Sequence, residues 1–226
     1  MNDLKNIIVI PARKNSKRFS GKNLSILDGK PLISHSIEYA LKFTSSDRIW
    51  VNTDDELIID LSKKYDINKY LRPSHLAEDN TSTAQVIVDF AQYLVKQEIQ
   101  YEKIITLQPT NPIRPESLFI NACKSIDKSN KDSLMSVSSL NKKFGKISKE
   151  KYFPSNYTIG QRHQEIEPLY YENGLIYIST KKLLLSENKL ISENVYPLVT
   201  DHIGSNIDID YENDLKLAEL IIKLNK

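Results

Sequence analysis

Four consecutive β-branched residues near the amino end, Ile7–Ile10, constrain the fold more than any other feature of this chain. An unbroken apolar run of that length, closed by Pro11, has no polar face and marks a strand covered on both sides. A basic loop follows to about Asn23. Asp28-Gly29 reads as a turn, and Pro31 stands where its fixed φ suits the start of a helix carrying Ile33, Ile37, Ala40 and Leu41. The alternation then repeats: strands at 48–53 and 68–71, with a helix at 56–64 between them. Ser82 and Gln85 fit a capping box opening a helix to about Gln97, with Ile87, Phe90, Ala91 and Leu94 on one face. A strand at 103–107, a helix at 116–127 and a strand at 133–138 continue the pattern. Strands alternating with helices of this length imply crossover units, and so an α/β fold with a largely parallel sheet covered on both faces. Residues 140–172 break the rhythm. They are polar, contain tyrosines and lack a helical period, so they read as an inserted β-rich lobe available for pairing with a second subunit. Residues 1–139 and 173–226 then make up the main domain. Regular structure is expected to resume with a strand at 174–179 and a last strand at Asn206–Asp210. A final helix runs from about Tyr211 to Leu224, with Leu215, Ala218, Ile222, Leu217 and Ile221 as its apolar stripe.

Composition removes several function classes. Lys and Arg number 31 against 29 Asp and Glu, for a net charge of +2, so a nucleic-acid binder relying on global charge is not expected. Cys123 is the sole cysteine. It permits no internal disulfide and no multi-thiolate site, and a reducing cytoplasm is the natural setting. No apolar run approaches the ~20 residues of a membrane span, and the opening residues do not have the form of a signal peptide.

Two charged clusters carry the chemistry. Arg13, Lys17, Arg18 and Lys22 fall within ten residues after the first strand, with Ser16 and Asn23 as hydrogen-bond partners. Ligands of open α/β sheets bind beyond the carboxyl ends of the strands, and this loop lies at such an end. It suits a polyphosphate, although a solvated basic loop is an even alternative on this cluster alone. Neither the P-loop nor the dinucleotide glycine pattern is present, so side chains rather than a glycine cradle must hold the phosphates. The second cluster is Asp208-Ile209-Asp210. Residues i and i+2 of a strand share a face, so both carboxylates point one way while Ile207 and Ile209 face the core. Paired carboxylates repel unless a cation intervenes, and Mg²⁺ fits them. Asp210 as a plain helix N-cap is the competing reading; a polyphosphate loop in the same chain shifts the balance to the metal. Two weaker candidates are Gln108-Pro109-Thr110-Asn111-Pro112-Ile113-Arg114, whose Gln108 and Arg114 could meet a ligand although a plain turn before a helix is the favoured reading of such a loop alone, and Asp79–Thr83. The latter offers hydroxyls at a helix N-terminus that either cap the helix or expose N–H groups to a ligand.

These stretches together resemble the CMP-sialic acid synthetases (acylneuraminate cytidylyltransferases), within the wider nonulosonate cytidylyltransferases. The matches are Ile10–Asn23, Leu71–Asp79, Leu107–Arg114, Glu172–Ile178 and Asn206–Asp210, in family order. The resemblance implies a Rossmann-like three-layer nucleotidyltransferase fold with a small dimerisation lobe. It implies an enzyme that uses CTP and Mg²⁺ to make a CMP-activated nine-carbon keto-sugar acid, releasing pyrophosphate, and that works as a homodimer. By motif, Arg13 and Lys22 would contact the triphosphate and Asn23 the nucleotide, with Arg72 and Thr83 by the nucleoside. Gln108 would contact the sugar, Asp208 and Asp210 the metal. Lys146 and Arg162 would reach the sugar acid, Arg162 from the partner subunit. Many members place a basic residue and proline before N-G-x-I-Y; this chain has Tyr171-Glu172, and the departure at Tyr171 falls on the expected sugar pocket. Competing readings are a synthetase for legionaminate, pseudaminate or Kdo, a D-x-D glycosyltransferase, and a non-catalytic nucleotide-binding protein.

Overall fold

A computed structural model describes residues 6–224. The opening apolar run forms β1 (Asn6–Pro11), and Ile7, Ile8, Val9 and Ile10 are all buried. In chain order there follow α1 (Leu32–Leu41), β2 (Ile49–Thr53), α2 (Glu56–Lys64), β3 (Asn68–Leu71), α3 (Thr83–Lys96), β4 (Lys103–Thr106), α4 (Glu116–Lys128) and β5 (Ser133–Ser139). A hairpin of β6 (Gly145–Ser148) and β7 (Lys151–Pro154) precedes β8 (Tyr170–Thr180), β9 (Val195–Val199) and α5 (Glu212–Leu224).

The central sheet has seven strands in the order β9-β5-β8-β4-β1-β2-β3. The block β4-β1-β2-β3 is parallel, as is the pair β5-β9, while β8 runs antiparallel to both neighbours. Alternate residues of β1 feed two cores. Ile8 and Ile10 meet Ile33 and Ile37 of α1, Ile58 of α2 and Phe119 of α4. Ile7 and Val9 meet Trp50 and the Ile87, Phe90 and Leu94 stripe of α3. The result is three layers, helices on each face of a mostly parallel sheet, as the alternation of elements requires.

The expected strand at Asn206–Asp210 is not a strand. The segment pairs with no sheet strand; instead Ile209 N–H donates to the Thr110 carbonyl at 2.8 Å. Its alternating apolar residues enter a third, small core, where Ile207 and Ile209 join Leu27, Leu32, Ala218 and Ile221. One edge of the sheet is β9, which the sequence disguises with Pro197; proline is tolerated there because an edge strand need not donate on both sides. Leu217 does not belong to the buried stripe of α5, being 49% exposed, whereas Ala218 and Ile221 are buried. β8 also starts four residues earlier than the expected strand at 174, so Tyr170–Glu172 pair with β5 rather than with the hairpin.

Candidate active site

The carboxyl ends of the parallel strands open onto a cavity of about 250 Å³. Arg13, Lys22 and Asn23 reach it from the loop after β1, Arg72 and Asp79 from the segment after β3, Thr83 from the start of α3 and Gln108 from the end of β4. The expected triphosphate and nucleoside residues therefore converge on one site.

Gly21 adopts φ +67° and opens a single helical turn over Lys22–Leu24, which carries Lys22 and Asn23 inward. Asn23 is buried and donates through its amide to the Arg13 carbonyl at 3.0 Å. Lys22 reaches across the cleft. Its ammonium lies 2.9 Å from Asp210 Oδ1 and 3.0 Å from the Ile209 carbonyl. Arg18 holds the other oxygen, Asp210 Oδ2, at 2.7 Å. Residues from the two ends of the chain thus meet in one charge cluster. The Asp210 carboxylate is held by Lys22 and Arg18, and the backbone N–H groups of Asp210 and Tyr211, just before α5, donate to Asp214 Oδ2 at 3.0 and 2.7 Å. Asp208 is exposed along one side, yet its carboxyl is pushed above the ordinary aspartate range. Crowding away from water is the main cause, opposed by a hydrogen bond from Thr110 and reinforced by the neighbouring Asp210.

The opposite rim carries a second cluster. Asp79 binds Arg13 at 2.8 Å and Lys17 at 3.0 Å, and the Lys17 ammonium, with Arg13, holds its carboxyl below the usual range. The sequence marks Asp79 only as part of a helix-capping stretch; its role as counter-ion to the basic loop depends on folding. Ser16 is half-buried in the same loop. Arg72 is buried, and its guanidinium donates to the Asn52 side-chain oxygen at 2.9 Å and the Asn52 carbonyl at 3.0 Å; burial pulls its pKa down to about 10.

The 108–114 loop divides its residues between ligand and scaffold. Gln108 faces the cavity. Asn111 is buried and donates 2.9 Å bonds to the carbonyls of Asn173 and Ile207, tying β8 to the segment that bears Asp208. Gly174, at φ +73°, lets the Gln108 and Asn111 side chains come close: a Cβ there would lie 2.8 and 2.7 Å from their oxygens. Arg114, only a weak candidate for a ligand contact, is buried and bonded to the Leu175 and Gln108 carbonyls and the Ser36 hydroxyl.

A second cavity of about 420 Å³ adjoins the first and shares Thr83 and Gln108 with it. Glu172, Tyr177 and Lys189 line it, and none of them stands out in the sequence as a ligand group. Tyr171 lies instead in an apolar groove with Met135, Val137, Pro197 and Val199, and its hydroxyl donates to Asn206. Lys146 stands on β6 and Arg162 pairs with Glu165 at 2.5 Å; neither is among the residues lining the two cavities of this chain.

Comparison with known proteins agrees with this geometry. A family model described as cytidylyltransferase matches residues 7–225. The chain belongs to the cytidylyltransferase family. It is therefore a nucleotidyltransferase, with the α/β architecture expected of one. It is 33% identical over 227 residues to a CMP-N,N'-diacetyllegionaminic acid synthase of Legionella pneumophila, covering 97% of each chain. It is 28% identical to a pseudaminic acid cytidylyltransferase of Campylobacter jejuni, covering 98% of each. An N-acylneuraminate cytidylyltransferase of Streptococcus agalactiae is 32% identical over 219 residues, of which this chain spans 52%. Among solved structures, a CMP:2-keto-3-deoxy-manno-octonic acid synthetase complexed with CTP superposes with a TM-score of 0.70 at 16% identity, covering 98% of this chain and all of that one. The likeness to that structure concerns the fold.

Proposed function

We propose that this cytidylyltransferase joins CMP to a free nonulosonic acid of the sialic, legionaminic or pseudaminic type, consuming CTP and releasing pyrophosphate. The observation that carries the reading is the meeting of Lys22 and Arg18 with Asp210 beside the strand-end cavity. The sugar's anomeric hydroxyl attacks the α-phosphate, charge gathers on the phosphoryl oxygens, and the protein's contribution is positioning and charge neutralisation. Lys22 offsets charge at the α-phosphate. Arg13, with Lys17 or Arg18, steadies the departing pyrophosphate once Asp79 and Asp210 give these cations up to the nucleotide. Asn23, Arg72 and Thr83 fix the nucleotide, with Ser16 assisting in the loop. Gln108, shared by both cavities, sits between nucleotide and sugar acid.

The donor set fits a magnesium ion. Asp208 and Asp210 supply hard oxygens two residues apart, and hard carboxylate oxygens are the donors Mg²⁺ takes from protein. Held by these two residues, Mg²⁺ would neutralise phosphate charge and complete its shell with substrate oxygen and water. Asp210 would accept the hydroxyl proton. The working unit in this reading is a homodimer in the reducing cytoplasm, with Lys146, Arg162 and Tyr171 completing the sugar site.

Incubation with CTP, Mg²⁺ and a panel of nonulosonic acids, plus Kdo, tests the reading. The expected product is a CMP conjugate detected by mass, formed with pyrophosphate. Asp210→Ala should remove most turnover, on the order of 100-fold or more, while circular dichroism stays native. CTP binding without a conjugate from any acid would overturn the reading, and full activity of Asp210→Ala at saturating Mg²⁺ would overturn the metal assignment.

A further inference from the structure

β2 ends on a polar side chain where its packing calls for an apolar one. All five of its residues are buried, and Asn52 stands two positions from Trp50, on the face that packs against α3. Asn52 has no exposed surface. Its side-chain oxygen accepts from Arg72 Nε at 2.9 Å, and its carbonyl accepts from Arg72 Nη2 at 3.0 Å and from Ala12 N–H at 2.9 Å. The amide nitrogen of Asn52 has no partner among the described residues. Burying an unpaired donor is costly, so a residue kept there for packing alone would be apolar. What Asn52 offers in return is the acceptor for Arg72. Turning the amide over would set two donors against each other, so Arg72 also fixes its orientation.

Arg72 is thus held without being neutralised. Asp54 and Asp89 act on it through space, and each is engaged elsewhere: Asp54 accepts from Lys14 N–H at 2.8 Å and Asp89 from the Tyr70 hydroxyl at 2.6 Å. A guanidinium has five N–H donors. Asn52 engages Nε and Nη2, and the remaining donors belong to a side chain that lines the strand-end cavity beside Arg13 and Thr83.

We propose that Asn52 is a positioning residue for the nucleotide: it aligns the Arg72 fork and, being neutral, leaves the arginine's charge to acceptor atoms of bound CTP. A carboxylate at this position would hold the fork as well but cancel its charge, a loss that water does not screen in a buried site. An apolar residue would leave the charge and lose the alignment. The proposal rests on the cytidylyl-transfer reading above and adds to it a residue outside the cavity wall.

The test measures CTP binding to the full-length enzyme by calorimetry, with Mg²⁺ and no sugar acid, and then steady-state kinetics with the acid present. Asn52→Asp should stay folded by circular dichroism and weaken CTP binding about 10-fold, the low end for a hydrogen bond to a charged group. KM for CTP should rise in step while kcat and KM for the sugar acid stay within about twofold, the pattern of lost ground-state binding. Asn52→Ala should shift CTP binding in the same direction. A purely structural role predicts otherwise: Asn52→Asp, able to pair with Arg72, would keep its CTP affinity, and Asn52→Ala would lower the yield of active enzyme without moving KM for CTP. Either result overturns the proposal and leaves cytidylyl transfer standing, as would a fold that neither variant can sustain. A wild-type enzyme that binds no CTP overturns the transfer reading itself.

Discussion

Arg114 carries a positive charge into the protein interior and surrounds it with neutral partners. Its guanidinium donates to the Leu175 carbonyl at 2.7 Å, the Gln108 carbonyl at 2.5 Å and the Ser36 hydroxyl at 3.0 Å, and lies over the Tyr39 ring. Burial pulls its pKa down to about 10, which still leaves it charged at neutral pH. It is a strut that fixes the backbone beneath Gln108. Arg114→Met keeps much of the volume but strands two carbonyls and a hydroxyl, a loss of about 2–4 kcal/mol at the usual cost of unmade buried hydrogen bonds. Arg114→Lys should recover little, because a point ammonium cannot match the planar fork. Chemical denaturation measures this; a loss below about 0.5 kcal/mol, the scale of surface substitutions, would show that the strut carries no load. Such a role is illegible in sequence, where nothing tells whether an arginine meets a ligand or three backbone and hydroxyl oxygens. Lys22 and Asp210 were legible for the opposite reason. Basic residues after the first strand and paired acids near the last helix have few partners in a parallel α/β fold except each other and an anionic ligand.

At the scale of elements, sequence and structure agree best where one local interaction sets the boundary. Ser82 Oγ accepts from Gln85 N–H at 3.2 Å and the Gln85 side chain accepts from Ser82 N–H at 2.8 Å, so the reciprocal cap read from the spacing is present. It also holds the first turn of α3, where Thr83 lines both cavities. Ser82→Ala should therefore cost about 1 kcal/mol of stability, typical of a lost N-cap, and raise KM for CTP. An unchanged KM with the expected stability loss would confine the cap to a structural role. Agreement fails where tertiary contacts decide. The Ile207/Ile209 alternation is a strand pattern, but its apolar side chains enter a pocket between Leu27 and α5 instead of joining a sheet. Pro197 hides an edge strand, and the bulge in β8 between Glu172 and Tyr177 brings together two side chains that period-two counting places on opposite faces.

The whole molecule presents a surface that one copy does not cover. The β6–β7 hairpin pairs only with itself, outside the central sheet, and two-stranded hairpins are marginal on their own in water. It nevertheless exposes Ile147 (79%), Phe153 (52%) and Tyr152 (45%), and Ile159 follows in the adjoining loop at 80%. Apolar groups concentrated on one projecting unit mark an interaction surface, and Lys146 and Arg162 lie on the same unit, away from the cavities of their own chain. A second copy bound through this lobe would cover the apolar groups and carry the two cations toward a neighbouring cleft. Ile147→Asp with Phe153→Asp should convert a dimer into a monomer by sedimentation, retaining CTP binding while losing sugar-acid turnover. Mixing two inactive variants then tests whether Arg162 works across the interface. An Asp210→Ala chain keeps its lobe but not its own site, and an Arg162→Ala chain keeps its site but not its lobe. Statistical exchange between symmetric dimers makes half of them mixed, each with one complete site, so about a quarter of wild-type activity should return. A fully active monomer would remove the need for the partner, and no recovery on mixing, with exchange verified, would place Arg162 at its own chain's site.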